Sequence, residues 1–172
     1  MGRISAFCKT LYHCTYLPIH YYKSGQLQLA LPVTDFPFDL AASHLPELCS
    51  GEKRISYLVT EEFQYFGLIR NFQTEEMILV GPVITIQPSA QSIRNIMHEY
   101  AIVPEYKDRL SEFYQFIPLF SFHQFCYFLA LFYQELFGEV IDTQAYFNIQ
   151  IDSEDTAIAS LHASQIYETK ET

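Results

Sequence analysis

Residues 63–83, FQYFGLIRNFQTEEMILVGPV, constrain the fold more than any other stretch of the chain. Phe63, Tyr65, Gly67 and Ile69 fall at every second position, and so do Met77, Leu79, Gly81 and Val83. Side chains two apart share one face of a strand, so each run predicts a strand. The polar segment from Asn71 to Glu76 separates them as a turn and makes them neighbours in an antiparallel sheet. The Gly81-Pro82 step predicts an end or a bend in the second strand.

Upstream, Ile4, Phe7, Cys8, Leu11 and Tyr12 recur at spacings of three and four, which predicts an amphipathic helix over residues 4–14. Pro18 stops it, because proline cannot continue a helix. Residues 18–22 and 26–31 read as two strands around the turn Lys23-Ser24-Gly25. A broken helical pattern containing Pro46 fills residues 38–49 and closes at Gly51. A third strand over 53–60 then places Ile55, Tyr57 and Val59 on one face, with Ser56 and Leu58 on the other. This order predicts an α+β fold: a five-stranded antiparallel PAS/GAF-like sheet with covering helices on one side. PAS-like and GAF-like topologies both use this strand order, and both stay open.

From residue 88 onward the pattern is helical. Ser89 is an N-cap candidate for a helix carrying Ile93, Ile96, Met97 and Tyr100. Residues 106–116 form a second short helix between Pro104 and Pro118. Ser121 caps a long one in which Phe122, Phe125, Leu129 and Phe132 form an apolar stripe, ended by Gly138. Phe128 and Leu131 widen that stripe beyond one face. A surface this wide needs two partners, so the helix is expected to meet both the sheet and a second copy of the chain, with Phe122, Phe125, Phe128, Leu129 and Phe132 as the dimerisation residues. The division expected is a sensor domain over 1–87, a helical segment with the dimerisation helix over 88–151, and the start of a linker over 152–172. Residues 140–151 read as a short strand or loop.

The net charge of −10 argues against direct contact with a phosphate backbone. The longest apolar run, residues 113–137, carries too many polar breaks for a membrane span. The four cysteines show no CxxC spacing, and no basic-then-apolar leader opens the chain; reduced thiols in the cytoplasm are expected, two disulfides being the alternative.

No catalytic set stands out. Ser92, Ser111 and Ser121 lack a nucleophile elbow. Glu61-Glu62 and Glu75-Glu76 read as solvated turn acids. His13-Cys14 near Cys8, and the pair His123 and Cys126, lack a second ligand pair, so neither metal nor cofactor is expected.

Phe at 15 and Tyr at 13 exceed what a minimal core needs, which points to a ligand cavity, a protein partner or both. The aromatic set of the strands holds the candidate ligand-binding residues His20, Tyr22, Tyr57 and Tyr65. They either line an apolar cup under the sheet cover or divide between core and solvent.

Several short motifs carry a family resemblance. They are Tyr12 with Leu17-Pro18-Ile19-His20-Tyr21-Tyr22, then Ile78-Leu79-Val80-Gly81-Pro82-Val83, Ile102-Val103-Pro104-Glu105-Tyr106, Tyr114-Gln115-Phe116-Ile117-Pro118 and Gln165-Ile166-Tyr167-Glu168. From Leu11 onward the chain resembles the N-terminal region of AraC-type transcription regulators of Gram-positive bacteria. The resemblance implies a signal-sensing and dimerising part with a small-molecule effector. DNA would be read by a C-terminal part with two helix-turn-helix units that is not in these 172 residues. A dimerisation module without a ligand is the alternative.

Overall fold

The structure, a computed structural model, describes residues 1–147. Helix α1 (Arg3–Thr15) leads into strands β1 (Ile19–Lys23) and β2 (Gln26–Leu31). A connection holding a 3₁₀ turn (Ala42–His44) and the one-turn helix α2 (Leu45–Leu48) reaches β3 (Ile55–Val59), β4 (Gln64–Asn71) and β5 (Glu76–Ile84). Helices α3 (Ala90–Glu99), α4 (Lys107–Phe116) and α5 (Phe122–Phe137) follow. The five strands form one open antiparallel sheet in the order β2-β1-β5-β4-β3.

Local chemistry sets the element ends. Ser24 and Gly25 both have positive φ, 48° and 73°, which is the primed turn that matches strand twist in a two-residue hairpin loop. Asn71 Oδ1 accepts the N–H groups of Gln73 and Thr74 and shapes the β4–β5 turn. Ser89 caps α3, and Ser121 with Gln124 forms a reciprocal capping box on α5. Gly138 closes α5 in the left-handed region at φ 70°.

Register divides the sheet into two faces. Ile19, Val80, Gly67 and Tyr57 are cross-strand partners on one face, and His20, Leu79, Leu68 and Ser56 on the other. α5 lies on the first face, against Gly67, and α1 joins it there through Phe7, whose ring meets Phe132 at 5.8 Å. On the second face, Tyr22, Phe66, Leu68 and Leu79 pack with Ala41 and Leu48 of the connection. The helices therefore cover both faces, not the single side expected: a sheet with apolar residues at both parities must bury both. The expected alternation of Met77, Leu79, Gly81 and Val83 also breaks. A bulge at Gly81-Pro82 brings Val83 opposite Tyr65, on the α5 face.

Two further expectations change. Phe125, Leu129 and Phe132 of the presumed dimer stripe are fully buried within their own chain, because α5 seats on β4 and β5. Only Phe122 and Phe128 of that set keep partial exposure. The expected division at residue 87 is no break in packing: one core joins Leu40 and Ile84 to Ile93, Ile96, Leu110 and Tyr114 across it, and residues 1–140 form one compact unit. A second unit begins at Ile141 and opens with helix α6 (Thr143–Phe147), where a strand or loop was expected. Asp142 starts that helix, its carboxylate accepting the Ala145 N–H at 3.2 Å. The linker reading of residues 152–172 lies outside the described residues. No described helix is long and apolar enough to cross a membrane.

Candidate functional site

Pro18 ends the α1 connection and lets β1 start with His20 pointing to the second face. After β2 the chain runs through Pro32-Val33-Thr34-Asp35-Phe36-Pro37, a stretch whose two prolines keep it irregular. Phe36 fastens this segment to α4: its ring stacks on Phe38 at 4.8 Å and meets Phe113 edge-on at 5.9 Å. Between the segment, the start of β1 and the Gly81-Pro82 bulge lies a cavity of about 440 Å³. That size falls within the range of small-molecule sites.

The polar groups of the wall are centred on one couple. His20 Nε2 lies 2.8 Å from Asp39 Oδ2, and His20 is only 8% exposed. The other ring nitrogen, Nδ1, is buried without a hydrogen-bond partner. Asp39 Oδ1 accepts the Ala42 N–H at 3.0 Å, so Asp39 caps the 3₁₀ turn and is held in place by it. Burial pushes the Asp39 carboxyl up, but the His20 hydrogen bond and the N–H groups of Ala42 and Ala41 outweigh it and hold the group below the ordinary carboxylate range. The Tyr22 ring lies parallel to His20, centroids 6.4 Å apart. Burial, and then the Asp39 charge, push its phenol up to about 12. Among the described residues the wall carries no Ser, Cys, Lys or Arg, and its remaining polar side chain is Thr34.

Other concavities flank the fold. An apolar groove of about 920 Å³ runs from Tyr12 of α1 and Tyr16, which follows that helix, to Phe113 and Phe116 of α4, and shares Phe36 with the first cavity. A polar one of about 690 Å³ is lined by Glu47, Glu61, Glu62, Glu99, His44 and His98. Burial and the charges of Glu61 and Glu62 raise the Glu99 carboxyl. No group of His, Cys, Asp and Glu among the described residues is arranged to hold a metal ion.

The four expected ligand residues separate into two pairs. His20 and Tyr22 stand together on the second face, His20 in the cavity wall and Tyr22 in the core beside it. Tyr57 and Tyr65 stand on the α5 face. Tyr65 is 4% exposed, with its ring 5.4 Å from Phe122 and 5.5 Å from Phe125, and Tyr57 meets the same two phenylalanines. The sheet lies between the pairs, so they do not line one cup. Asp39 was missed, although an Asp three residues before the N–H it caps is a turn-start signature. The part that the proline-rich residues 32–37 take in the wall has no local signal in the sequence.

No known protein family, no curated protein and no solved structure matches the chain.

Proposed function

We propose that the chain is the regulatory part of an AraC-type transcription regulator, a PAS- or GAF-like sensor that binds a small effector in the cavity beside His20 and Asp39. In this reading the protein is cytoplasmic and dimeric, and it acts on DNA through a C-terminal helix-turn-helix part. The observation that carries the sensing role is the buried His20 ring, bonded to the part-exposed Asp39 carboxylate in the wall of a cavity of about 440 Å³. Mostly apolar concave sites with a few convergent polar groups are the common form of small-molecule site. The motifs shared with the regulators, the net charge of −10 and the lack of a catalytic set support the remainder.

The cavity touches the sheet through His20 and α4 through Phe113, and α4 runs by way of Ile117 and Pro118 into α5. An effector that binds one arrangement of these helices better than another shifts the population toward it, by no more than its difference in affinity. The second copy seats on the outward side of α5, near Tyr127 and Phe128, since the inward side is filled by the sheet.

Native mass spectrometry of the purified chain tests the sensing role. A small added mass that is lost on denaturation, and that is absent from His20→Phe, is the expected result. An unliganded wild type that also ignores a metabolite panel in thermal-shift assays overturns it. Translation of the gene beyond residue 172 tests the regulator role: two helix-turn-helix units are expected, and a different domain or a stop codon refutes it.

A further inference from the structure

The chemistry of the wall narrows what the cavity accepts. We infer that it takes an uncharged or cationic molecule with an apolar ring or chain and a hydrogen-bond donor, an amine or an alcohol, and that it rejects anions. This deepens the effector reading above and rests on it.

Charge is the first reason. Asp39 contributes −1 and His20 contributes 0 or +1, so the couple sums to −1 or 0 and is never positive. No Lys or Arg lines the wall among the described residues. The nearby Arg109 belongs to the adjoining groove, where its guanidinium is 2.9 Å from Asp35. A carboxylate or phosphate entering the cavity would leave water without meeting a compensating charge, and a buried charge without a partner is costly.

Donor supply is the second reason. Anion sites are built from converging N–H groups. Here Pro18, Pro32, Pro37 and Pro82 line the wall and have no N–H at all. The Gly81 N–H donates to the Pro18 carbonyl at 3.0 Å. Those of Ala41 and Ala42 are directed at Asp39. The side-chain donors of the wall are limited to the Thr34 hydroxyl and the His20 ring, and the wall has an acceptor to spare. A carboxylate offers about four lone-pair positions, and the Asp39 side chain keeps 40% of its surface open while bonded to His20. A ligand N–H or O–H completes it.

The apolar requirement comes from Phe36, Phe38 and Phe113 on the facing side. Their faces suit a ring or an alkyl chain, and they also favour an ammonium over a carboxylate.

Three probes with the same phenyl ring and two-carbon arm separate these terms: phenethylamine, 2-phenylethanol and 3-phenylpropanoate. Each is titrated into the purified chain while the histidine ring signals are followed by NMR. The amine and the alcohol are expected to move the His20 signal with at least tenfold lower Kd than the propanoate. In Asp39→Asn the amine should lose its advantage over the alcohol. The comparison among the three probes in the wild type stands even if that variant does not fold. Propanoate binding as tightly as the amine overturns the inference while leaving the cavity as an effector site. An amine that moves only His44 and His98 has bound the acidic groove instead, and it overturns the inference too. If none of the three moves His20 up to the solubility limit, the cavity is no effector site, and the sensing role falls with the inference.

Discussion

Gly67 on β4 lies so close under Leu129 of α5 that a β-carbon at residue 67 would stand 2.5 Å from Leu129 Cδ2. The same carbon would stand 3.0 Å from Phe125 Cζ. Both side chains are fully buried and have little room to give way. Gly67→Ala is therefore expected to lower stability by about 1–3 kcal/mol through overpacking. Leu129→Ala alone should cost about 2–5 kcal/mol through the cavity it leaves. The double variant should cost less than the sum, by about 0.5–3 kcal/mol, because the new methyl enters space the leucine has vacated. Urea unfolding of the four proteins measures this. Strict additivity would mean that α5 is not seated on Gly67.

The two sides of α5 should respond to different assays. Phe125→Ala and Phe132→Ala remove rings that are fully buried in the chain's own core, so each is expected to lower unfolding stability by about 3–5 kcal/mol. Phe128 is half-buried and meets Phe120 edge-on at 4.9 Å. Phe128→Glu should split the proposed dimer in sedimentation while moving the urea midpoint little. A dimer that survives Phe128→Glu at micromolar concentration puts the contact between copies elsewhere.

What could be read from the chain alone was what depends on near neighbours. The Ser89 and Ser121 caps, the Gly138 stop and the Ser24-Gly25 turn each involve groups within four residues of one another, and each appears where expected. Relationships set by tertiary packing were not legible. His20 and Asp39 are 19 positions apart, and the buried bond from the Tyr114 hydroxyl to Gln64 Oε1 spans 50. The breadth of the α5 stripe was visible, but its explanation was not. The sheet takes the inward side, and the Phe7 ring of α1 takes part of what was assigned to a second copy. Strand parity was legible too, and it already placed His20 and Tyr57 without saying whether they share a face. That depends on the pairing between strands, which one chain's alternation does not reveal.

The Asp39 couple has a pH signature with a definite sign. Its folded carboxyl is held below the unfolded value of 3.8, so the folded state releases the proton more readily than the unfolded one. The stabilisation is fully present above the unfolded value and is lost as pH falls through the folded one. Asp39→Asn is expected to flatten the acid limb of a stability–pH profile below about pH 4 and to weaken the tie between the 3₁₀ turn and β1. An unchanged acid limb would show that the His20 bond contributes nothing to folding.

Thiol reactivity reports whether α1 is docked. Cys8 is fully buried between α1 and the sheet, and burial pushes its thiol up to about 12 against the weaker opposing pull of a backbone hydrogen bond. At pH 8 that leaves a thiolate fraction on the order of one in ten thousand, and the thiolate is the reactive form. Cys126 is fully buried on α5, Cys49 is half-buried and Cys14 is exposed near the end of α1. Iodoacetamide on the native chain is expected to modify Cys14 first and Cys49 more slowly, with Cys8 and Cys126 reacting only after denaturant is added. Peptide mass mapping over a time course separates the four sites. Cys8 and Cys14 belong to the same helix, so alkylation of both at one rate would mean that α1 leaves the sheet readily. Protection of Cys8 that is lost together with that of Cys126 along a urea series would instead show that α1 and α5 unfold as one unit with the face they cover.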